Sequence, residues 1–263
     1  MGLENRSPEL GRCSRASFLR RAAAAGAGAT LASTYGLGAG STSQASPAKA
    51  SQRTPDSKIR RWAVITIGNL SRNRYWGESD DKGVRPAICT CTLIEGEGFR
   101  VLVDPSLEDA EQMGLELDRR AGLKPSDITT VFITHEHADH FAGLAHFPNA
   151  RWLAGPQVAS LLNAMKKWNK AVEPASGKLF DTIDVVPTPG HTLSSTSLRF
   201  DCKGHSVAVV GDAVATQDFW RERRGYFNCV DFEQSAKSMD KIATLAALVV
   251  PGHDNYFLTA NSR

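Results

Sequence analysis

The sequence predicts an α+β protein in which two β-sheets pack face to face and helices cover their outer surfaces. Three observations support this fold class. Short apolar, β-rich runs come first in the body of the chain, strands alternate with helical patterns further on, and no repeat or internal linker interrupts residues 58–263. A length of 263 residues with 41% hydrophobic and 22% charged residues suits one large domain with a tail.

The predicted strands are short runs of β-branched and aromatic residues bounded by turn-forming residues. They lie at residues 60–67, 87–94, 99–103, 129–134, 183–186, 197–200, 206–210 and 248–250. The second and third form a hairpin because residues 95–98 are a turn sequence, and a polar loop at 68–86 precedes them. Helices are predicted at 107–121, at 157–169 after Pro156, and at 231–247, where Asp231 is the cap.

The first fifty residues differ in composition from the rest. They hold six Lys/Arg against two Asp/Glu, whereas residues 51–263 hold 25 against 26. A basic stretch ends at Arg21, an uncharged Ala/Gly-rich run continues to Gly40, and small residues then offer cleavage sites after Ala45 or Ala50. Residues 1–50 are therefore predicted to be an export signal and low-complexity linker, and 58–263 the folded domain. This run is too weakly apolar for a stable membrane anchor.

Residues 14–21, SRASFLRR, resemble a twin-arginine signal, although Ala16 occupies the position of the second arginine. This predicts a periplasmic or extracellular protein; the alternative is a tail that carries no address. The near-neutral body indicates no broad basic face, so a small-molecule substrate is expected and a nucleic-acid partner is not. The oligomeric state is left open.

Five of the seven histidines and two aspartates lie in four short motifs, each at the end of an apolar strand or in a Gly/Pro loop. The seven residues are His135, His137, Asp139, His140, His191, Asp212 and His253. A lone histidine is more often structural, but an ordered set of imidazoles and carboxylates suits Zn, Fe or Mn. Seven ligands are too many for one tetrahedral ion and suit two ions that share a carboxylate.

These motifs resemble those of the metallo-β-lactamase fold superfamily, from about Ala63 to His253. The resemblance implies a four-layer αββα sandwich with the site at one edge and two divalent ions, zinc first with iron or manganese as alternatives. It also implies the following ligand sets: His135, His137 and His191 for one ion, Asp139, His140 and His253 for the other, and Asp212 as the bridge. A bridging hydroxide would be the nucleophile, and Asp139 would orient it and carry a proton.

The resemblance implies a hydrolase that attacks an ester, lactone, thioester or amide-type bond. The segment after Asp212 is similar to that of lactonases in the superfamily, except at Ala215, where those enzymes usually carry a tyrosine. Similarity to the small metallo-β-lactamase domain-containing proteins is as good. The alternatives are a mononuclear-iron enzyme resembling persulfide dioxygenases and a non-catalytic metal-binding domain.

Three further residues are candidates for binding the substrate. Tyr75 and Trp76 could form an aromatic flap over the site, although ordinary packing explains them equally well. Arg221 could bind an anionic group of the substrate, with a solvated loop face as the alternative. Cys89 and Cys91 are interpreted as small buried hydrophobes.

Overall fold

The computed structural model describes residues 58–259, which contain two six-stranded β-sheets. Within each sheet the strands are neighbours in chain order. The first sheet consists of β1 (Ile59–Thr66), β2 (Cys91–Gly96), β3 (Phe99–Val103), β4 (Thr130–Ile133), β5 (Arg151–Ala154) and β6 (Glu173–Pro174). The second consists of β7 (Gly177–Leu179), β8 (Ile183–Pro187), β9 (Thr196–Cys202), β10 (His205–Gly211), β11 (Leu248–Pro251) and β12 (Phe257–Leu258).

Both sheets mix antiparallel and parallel strands. The hairpin predicted from β2 and β3 is antiparallel, whereas β3, β4, β5 and β6 run parallel to one another. In the second sheet, β10 and β11 are parallel and the remaining pairs are antiparallel. Parallel neighbours end at the same edge of a sheet, so the residues that follow β3 and β4 lie together, as do those that follow β10 and β11.

Four helices complete the fold: α1 (Ala110–Ala121), α2 (Pro156–Ala164), α3 (Gln217–Arg221) and α4 (Phe232–Leu245). Alternate residues of the strands face opposite cores, as the two-residue period of a strand requires. In β4, Val131 packs with α1 and α2, while Phe132 packs between the sheets. In β10, Val209 packs between the sheets, while Val210 packs with α4. The predicted four-layer αββα sandwich is thus confirmed.

The boundaries of several elements differ from the sequence-based prediction. Helix α1 begins at Ala110 rather than 107, because Asp109 caps it by accepting a hydrogen bond of 2.8 Å from the Gln112 amide. Helix α2 ends at Ala164 rather than 169, because the Asn163 side chain pairs with the backbone of Val172. Strand β5 and helix α3 were not predicted. Asp231 is confirmed as the cap of α4.

The predicted export signal lies outside the described residues. Between residues 58 and 259, no helix has both the length and the apolar character needed to cross a membrane.

Candidate metal centre

Three histidines and one oxygen of Asp212 meet where the loop after β4 approaches the loop between β8 and β9. Nε2 of His191 lies 2.9 Å from Nδ1 of His137 and 3.3 Å from Oδ2 of Asp212. Nε2 of His135 lies 4.0 Å from the same oxygen. One ligand atom from each of the four residues lies within 4.8 Å of all the others, a spacing that suits one cation with ligands about 2 Å away. We call His135, His137 and His191 the three-histidine group.

Asp139, His140 and His253 form a second set beside the first, here called the aspartate–histidine group. Oδ2 of Asp139 lies 3.4 Å from Nε2 of His253 and 3.9 Å from Nε2 of His140. A short 3₁₀ helix, Ala138–His140, directs Asp139 and His140 toward this second point. His253 arrives from the other sheet, directly after β11 and Gly252.

Asp212 lies between the two groups and presents one oxygen to each. Its Oδ2 faces His191 and His135 at 3.3 and 4.0 Å. Its Oδ1 lies 3.2 Å from Nε2 of both His140 and His253. The structure therefore brings all seven predicted residues into one cluster, with Asp212 where a bridging carboxylate would have to be. Their role as ligands stays a prediction.

Unsatisfied atoms inside the cluster fit a cation better than they fit the protein alone. Nε2 of His135, Nε2 of His140 and Oδ1 of Asp212 are buried and form no hydrogen bond with any described residue. Buried polar atoms of native proteins nearly always have a hydrogen-bond partner. Three such atoms without one, each with a free lone pair, indicate that a cation binds at this point. The donor set of imidazoles and carboxylates suits divalent Zn, Fe or Mn.

Asp104 orients the aspartate–histidine group and was missed by the sequence analysis. Its Oδ2 accepts a hydrogen bond of 2.8 Å from Nδ1 of His140 and one of 2.7 Å from the Thr134 hydroxyl, and its Oδ1 accepts one of 2.8 Å from the Thr134 amide. With its proton on Nδ1, His140 directs the lone pair of Nε2 into the cluster. The available signal was an apolar strand, Phe99–Val103, that ends in a carboxylate, the same pattern that identified Asp212.

Two other histidines are oriented in the same way. Nδ1 of His253 lies 2.9 Å from the carbonyl oxygen of Ile88 and 3.1 Å from that of Asn69. Nδ1 of His135 lies 3.2 Å from the hydroxyl of Thr134. Carbonyl oxygens can only accept, so the ring proton of His253 lies on Nδ1. The Thr134 hydroxyl donates its own proton to Asp104 and therefore accepts from Nδ1 of His135. Both rings then leave Nε2 free to coordinate.

The protonation states fit this role. Burial lowers the pKa of His191 to about 4 and holds that of His135 well below its usual range, so both rings are neutral at neutral pH. Burial alone would raise the pKa of Asp212, but the neighbouring histidines, His253 foremost, hold it well below its usual range. Asp212 is thus a permanent carboxylate, and the imidazoles of His135 and His191 beside it are neutral.

Cys89 lies close to Asp104 and His140 and is fully buried. Burial raises the pKa of its thiol to about 12, so it stays protonated. Its full burial, and that of Cys91, agree with their interpretation as small hydrophobes.

The three predicted substrate-binding residues lie on the surface. Tyr75 packs edge-on against Phe219 with ring centroids 4.9 Å apart, and the Arg85 guanidinium lies 5.5 Å from the Trp76 ring. Arg221 pairs with Asp218 at 3.8 Å. Within residues 58–259, none of these contacts involves the seven-residue cluster. Phe219 is buried in α3, and Arg221 and Asp218 both lie on that helix. Their role in substrate binding stays a prediction.

The loop at 68–86 is fixed beside the cluster by a residue that the sequence analysis did not identify. The Tyr226 hydroxyl donates a hydrogen bond of 2.9 Å to the carbonyl of Arg72. The Tyr226 ring packs in a buried group with Leu70, Ala215 and Phe219. Since Asn69 of the same loop contacts His253, this packing holds one wall of the metal centre in place.

An αββα sandwich with a histidine- and aspartate-rich cluster at its edge defines a class of metal-dependent proteins. Residues 84–253 match the family model described as the metallo-beta-lactamase superfamily. The chain belongs to this superfamily, and the resemblance inferred from the motifs is confirmed.

Relatives and solved structures agree with this assignment. The chain is 31% identical over 173 residues to metallo-beta-lactamase domain-containing protein 1 of Xenopus laevis, covering 62% of this chain and 69% of that protein. It is 28% identical over 154 residues to a probable metallo-hydrolase of Methanocaldococcus jannaschii, covering 59% and 70%. The dizinc quorum-quenching lactonase AidC matches with a TM-score of 0.54 and 19% identity, over 64% of this chain and 72% of that one, a likeness that concerns the fold alone.

Proposed function

We propose that this protein is a hydrolase that holds two divalent metal ions, zinc first, and cleaves an ester, lactone, thioester or amide-type bond in a small molecule. The observation that carries the proposal is the position of Asp212. Its two oxygens face two separate groups of potential ligands, and a single ion would leave one of those groups without a role. The names of the similar proteins, a metallo-hydrolase and a dizinc lactonase, support the same activity.

When bound, two such ions would supply a water activated as a nucleophile near neutral pH and would polarise the bond under attack. The protein's own groups orient this chemistry. Asp212, only 5% exposed, would offset the charge of both ions, and Asp104 fixes the ring of His140. Asp139 is the more exposed of the two carboxylates in the cluster, at 24%, and is therefore the group placed to hold a proton next to an incoming substrate.

The surface around the cluster favours a substrate with an apolar part. Leu193 and Val230 are 60% and 63% exposed, and the Val230 amide donates to the carbonyl of His191. Ile67 is 46% exposed and lies two residues before Asn69, whose carbonyl contacts His253. These exposed aliphatic residues are linked to both ligand groups by short sequence separations or backbone contacts, and they suit an acyl or alkyl chain better than a highly charged substrate.

The test combines metal analysis with a hydrolysis screen over lactones, thioesters, β-lactams and phosphodiesters. We expect two divalent ions per chain and turnover of at least one carbonyl substrate with an apolar substituent. One iron per chain with oxidation of a persulfide would replace the proposal with the mononuclear-iron alternative. Tight metal binding without turnover of any of these substrates would favour a non-catalytic metal-binding domain.

Asp212→Asn is the variant that tests the bridge. The amide keeps an oxygen but loses the charge that offsets two dications, so we expect metal content to fall from two ions to one and turnover to fall by more than about 100-fold. Asp109→Asn, at the exposed cap of α1, is the matched control and should change neither. Unchanged metal content together with near-normal turnover in Asp212→Asn would exclude a bridging role.

We also propose that residues 1–50 direct export and are removed. Their basic start, Ala/Gly-rich middle and small residues at 43–50 support this. N-terminal sequencing of the protein recovered from outside the cytoplasm should give a start after residue 45 or 50. A start at Met1 or Gly2 would refute the proposal.

A further inference from the structure

Glu136 links the two loops that carry the three-histidine group. It lies between His135 and His137, where its side chain is not needed as a ligand. Its Oε2 accepts a hydrogen bond of 2.6 Å from the Ser194 hydroxyl and one of 3.3 Å from the Thr192 hydroxyl. Thr192 follows His191 directly, so one carboxylate joins the segments that supply all three histidines.

The hydroxyl groups that contact Glu136 belong to a larger buried network. The Thr192 hydroxyl lies 3.0 Å from that of Ser194 and 2.9 Å from that of Ser195. At the start of β9, the Thr196 amide donates 3.0 Å to the carbonyl of Thr134, which ends the β4 segment. Thr192, Ser194 and Ser195 are all at most 8% exposed. Glu136 is the charged member of this otherwise neutral network.

Among the described residues, no cationic side chain neutralises the charge of Glu136. Within residues 58–259, no Lys or Arg nitrogen forms an ion pair with its carboxylate, whereas the superficial Glu116 and Glu173 both have arginine partners. A partly buried carboxylate without a counter-ion is costly unless a positive charge is bound nearby. Apart from one oxygen of Asp212, the three-histidine group offers a dication only imidazole nitrogens, which carry no negative charge.

We propose that Glu136 is a positioning residue for the three-histidine group. It clamps the His135–His137 segment to the His191 loop through Ser194 and Thr192, and its negative charge raises the affinity of this group for a divalent ion. The inference rests on the proposed function as a metal-dependent enzyme, but it concerns a residue outside the seven candidate ligands. It divides into a geometric part, carried by the hydrogen bonds, and an electrostatic part, carried by the charge.

Three substitutions separate the geometric part from the electrostatic part. In Glu136→Gln, the amide oxygen can still accept from Ser194 and Thr192, so only the charge is lost. In Glu136→Ala the charge and both hydrogen bonds are lost. In Ser194→Ala only the shorter of the two hydrogen bonds is lost. Glu97→Gln, in the exposed turn between β2 and β3 at the opposite end of the strands, is the matched control.

The measurement is the affinity of the full-length, chelator-stripped protein for Zn²⁺ by competition with a chromophoric chelator, with the visible spectrum of bound Co²⁺ as a second readout. We expect Glu136→Ala to lower the affinity of the tighter of the two zinc-binding steps about 10- to 100-fold, which is the usual range for residues that orient metal ligands. Glu136→Gln should lie between it and the wild type, with a nearly normal Co²⁺ spectrum. Glu97→Gln should match the wild type, and thermal unfolding of the stripped proteins reports whether each variant folds.

Wild-type affinity in Glu136→Gln and in a folded Glu136→Ala would overturn the inference. An equal loss of affinity in Glu136→Gln and Glu136→Ala would refute the geometric part of the inference and support only the electrostatic part. If the Glu136 variants bound Zn²⁺ normally while His137→Ala abolished binding in the same assay, the metal centre would be supported and the role of Glu136 would be refuted. If the wild-type protein itself bound no metal, the proposed function would fall first.

Discussion

Asp104→Asn should weaken metal binding by the aspartate–histidine group without unfolding the protein. Asp104 has a φ of 52°, in the left-handed region, which asparagine tolerates at least as well as aspartate, so the backbone is unaffected. The amide oxygen can still accept from the Thr134 amide. The amide nitrogen then replaces Oδ2 and meets Nδ1 of His140, which is also a donor. His140 can escape this clash only by moving its proton to Nε2, the atom that would coordinate the metal.

The expected magnitude follows from the lost contact. A hydrogen bond to a charged group contributes about 1.5–3 kcal/mol, and this one is 2.8 Å long and fully buried. If that free energy is lost from coordination, affinity at this group falls by about 10- to 100-fold, in agreement with the usual effect of orienting residues. The three-histidine group should change by less, because Asp104 reaches it only through Thr134.

Stepwise zinc affinities from chelator competition, together with thermal unfolding of the metal-free protein, measure this effect. Asp109→Asn is again the control, because asparagine caps a helix as well as aspartate does. Two affinities within about threefold of the wild-type values, in a folded Asp104→Asn protein, would refute the reasoning that the Asp104–His140 contact sets the ligand tautomer.

Two further predictions concern the same cluster. A Cβ at position 252 would overlap Oδ1 of Asp212, so Gly252→Ala should displace the carboxylate, cost about 1–3 kcal/mol of stability and reduce metal content. By contrast, a Cβ at position 114 of α1 would make only ordinary contact with Pro125, so Gly114→Ala should raise stability by about 0.5–1 kcal/mol. Calorimetry together with metal analysis checks both variants. On acidification, the metal ion held by the aspartate–histidine group should be lost first. Burial alone would lower the pKa of His253, but Asp212 raises that pKa above its usual range, whereas burial lowers the pKa of His191 to about 4. Protons therefore compete with the metal for His253 at a higher pH than for His191. Metal content measured against pH should therefore fall from two to one before it falls to zero, and loss in a single step would contradict this order.

The sequence was sufficient for the layered fold and the seven-residue cluster because both depend on local patterns. Strands buried on both faces read as continuous apolar runs, and a histidine or aspartate directly after such a run marks the edge of a sheet. His135, Asp212 and His253 were found in this way. Asp104 carries the same pattern but supplies no metal-ligand motif of its own, so its role emerged only from its contact with His140.

Short elements were missed for a related reason. Strand β5, Arg151–Ala154, contains no β-branched residue, unlike the equally short β4, and so lacks the composition typical of a strand. Helix α3 has only five residues, which is too few for a helical period to stand out. Helix α2 was predicted five residues too long because the contact that ends it comes from Val172, which no local pattern within the helix could reveal. These misses leave the predicted cluster intact because none of its seven residues depends on those boundaries.

The glycines before Asp212 and His253 are required by packing between distant residues, although the local sequence pattern indicates only a loop at each position. A Cβ on Gly211 would overlap the hydroxyl of Thr134 in the other sheet, and Gly211 has a φ of 50°. A Cβ on Gly252 would overlap Asp212 itself. Both glycines are therefore required by close approach: one lets the ends of the two sheets meet, and the other makes room for the shared carboxylate. The Gly-Asp and Gly-His pairs of the sequence thus reflect packing between distant residues. Gly211 and Thr134 are almost eighty positions apart, and Gly252 and Asp212 are forty positions apart. This explains why a site assembled from both sheets can be recognised from dipeptides at the ends of their strands.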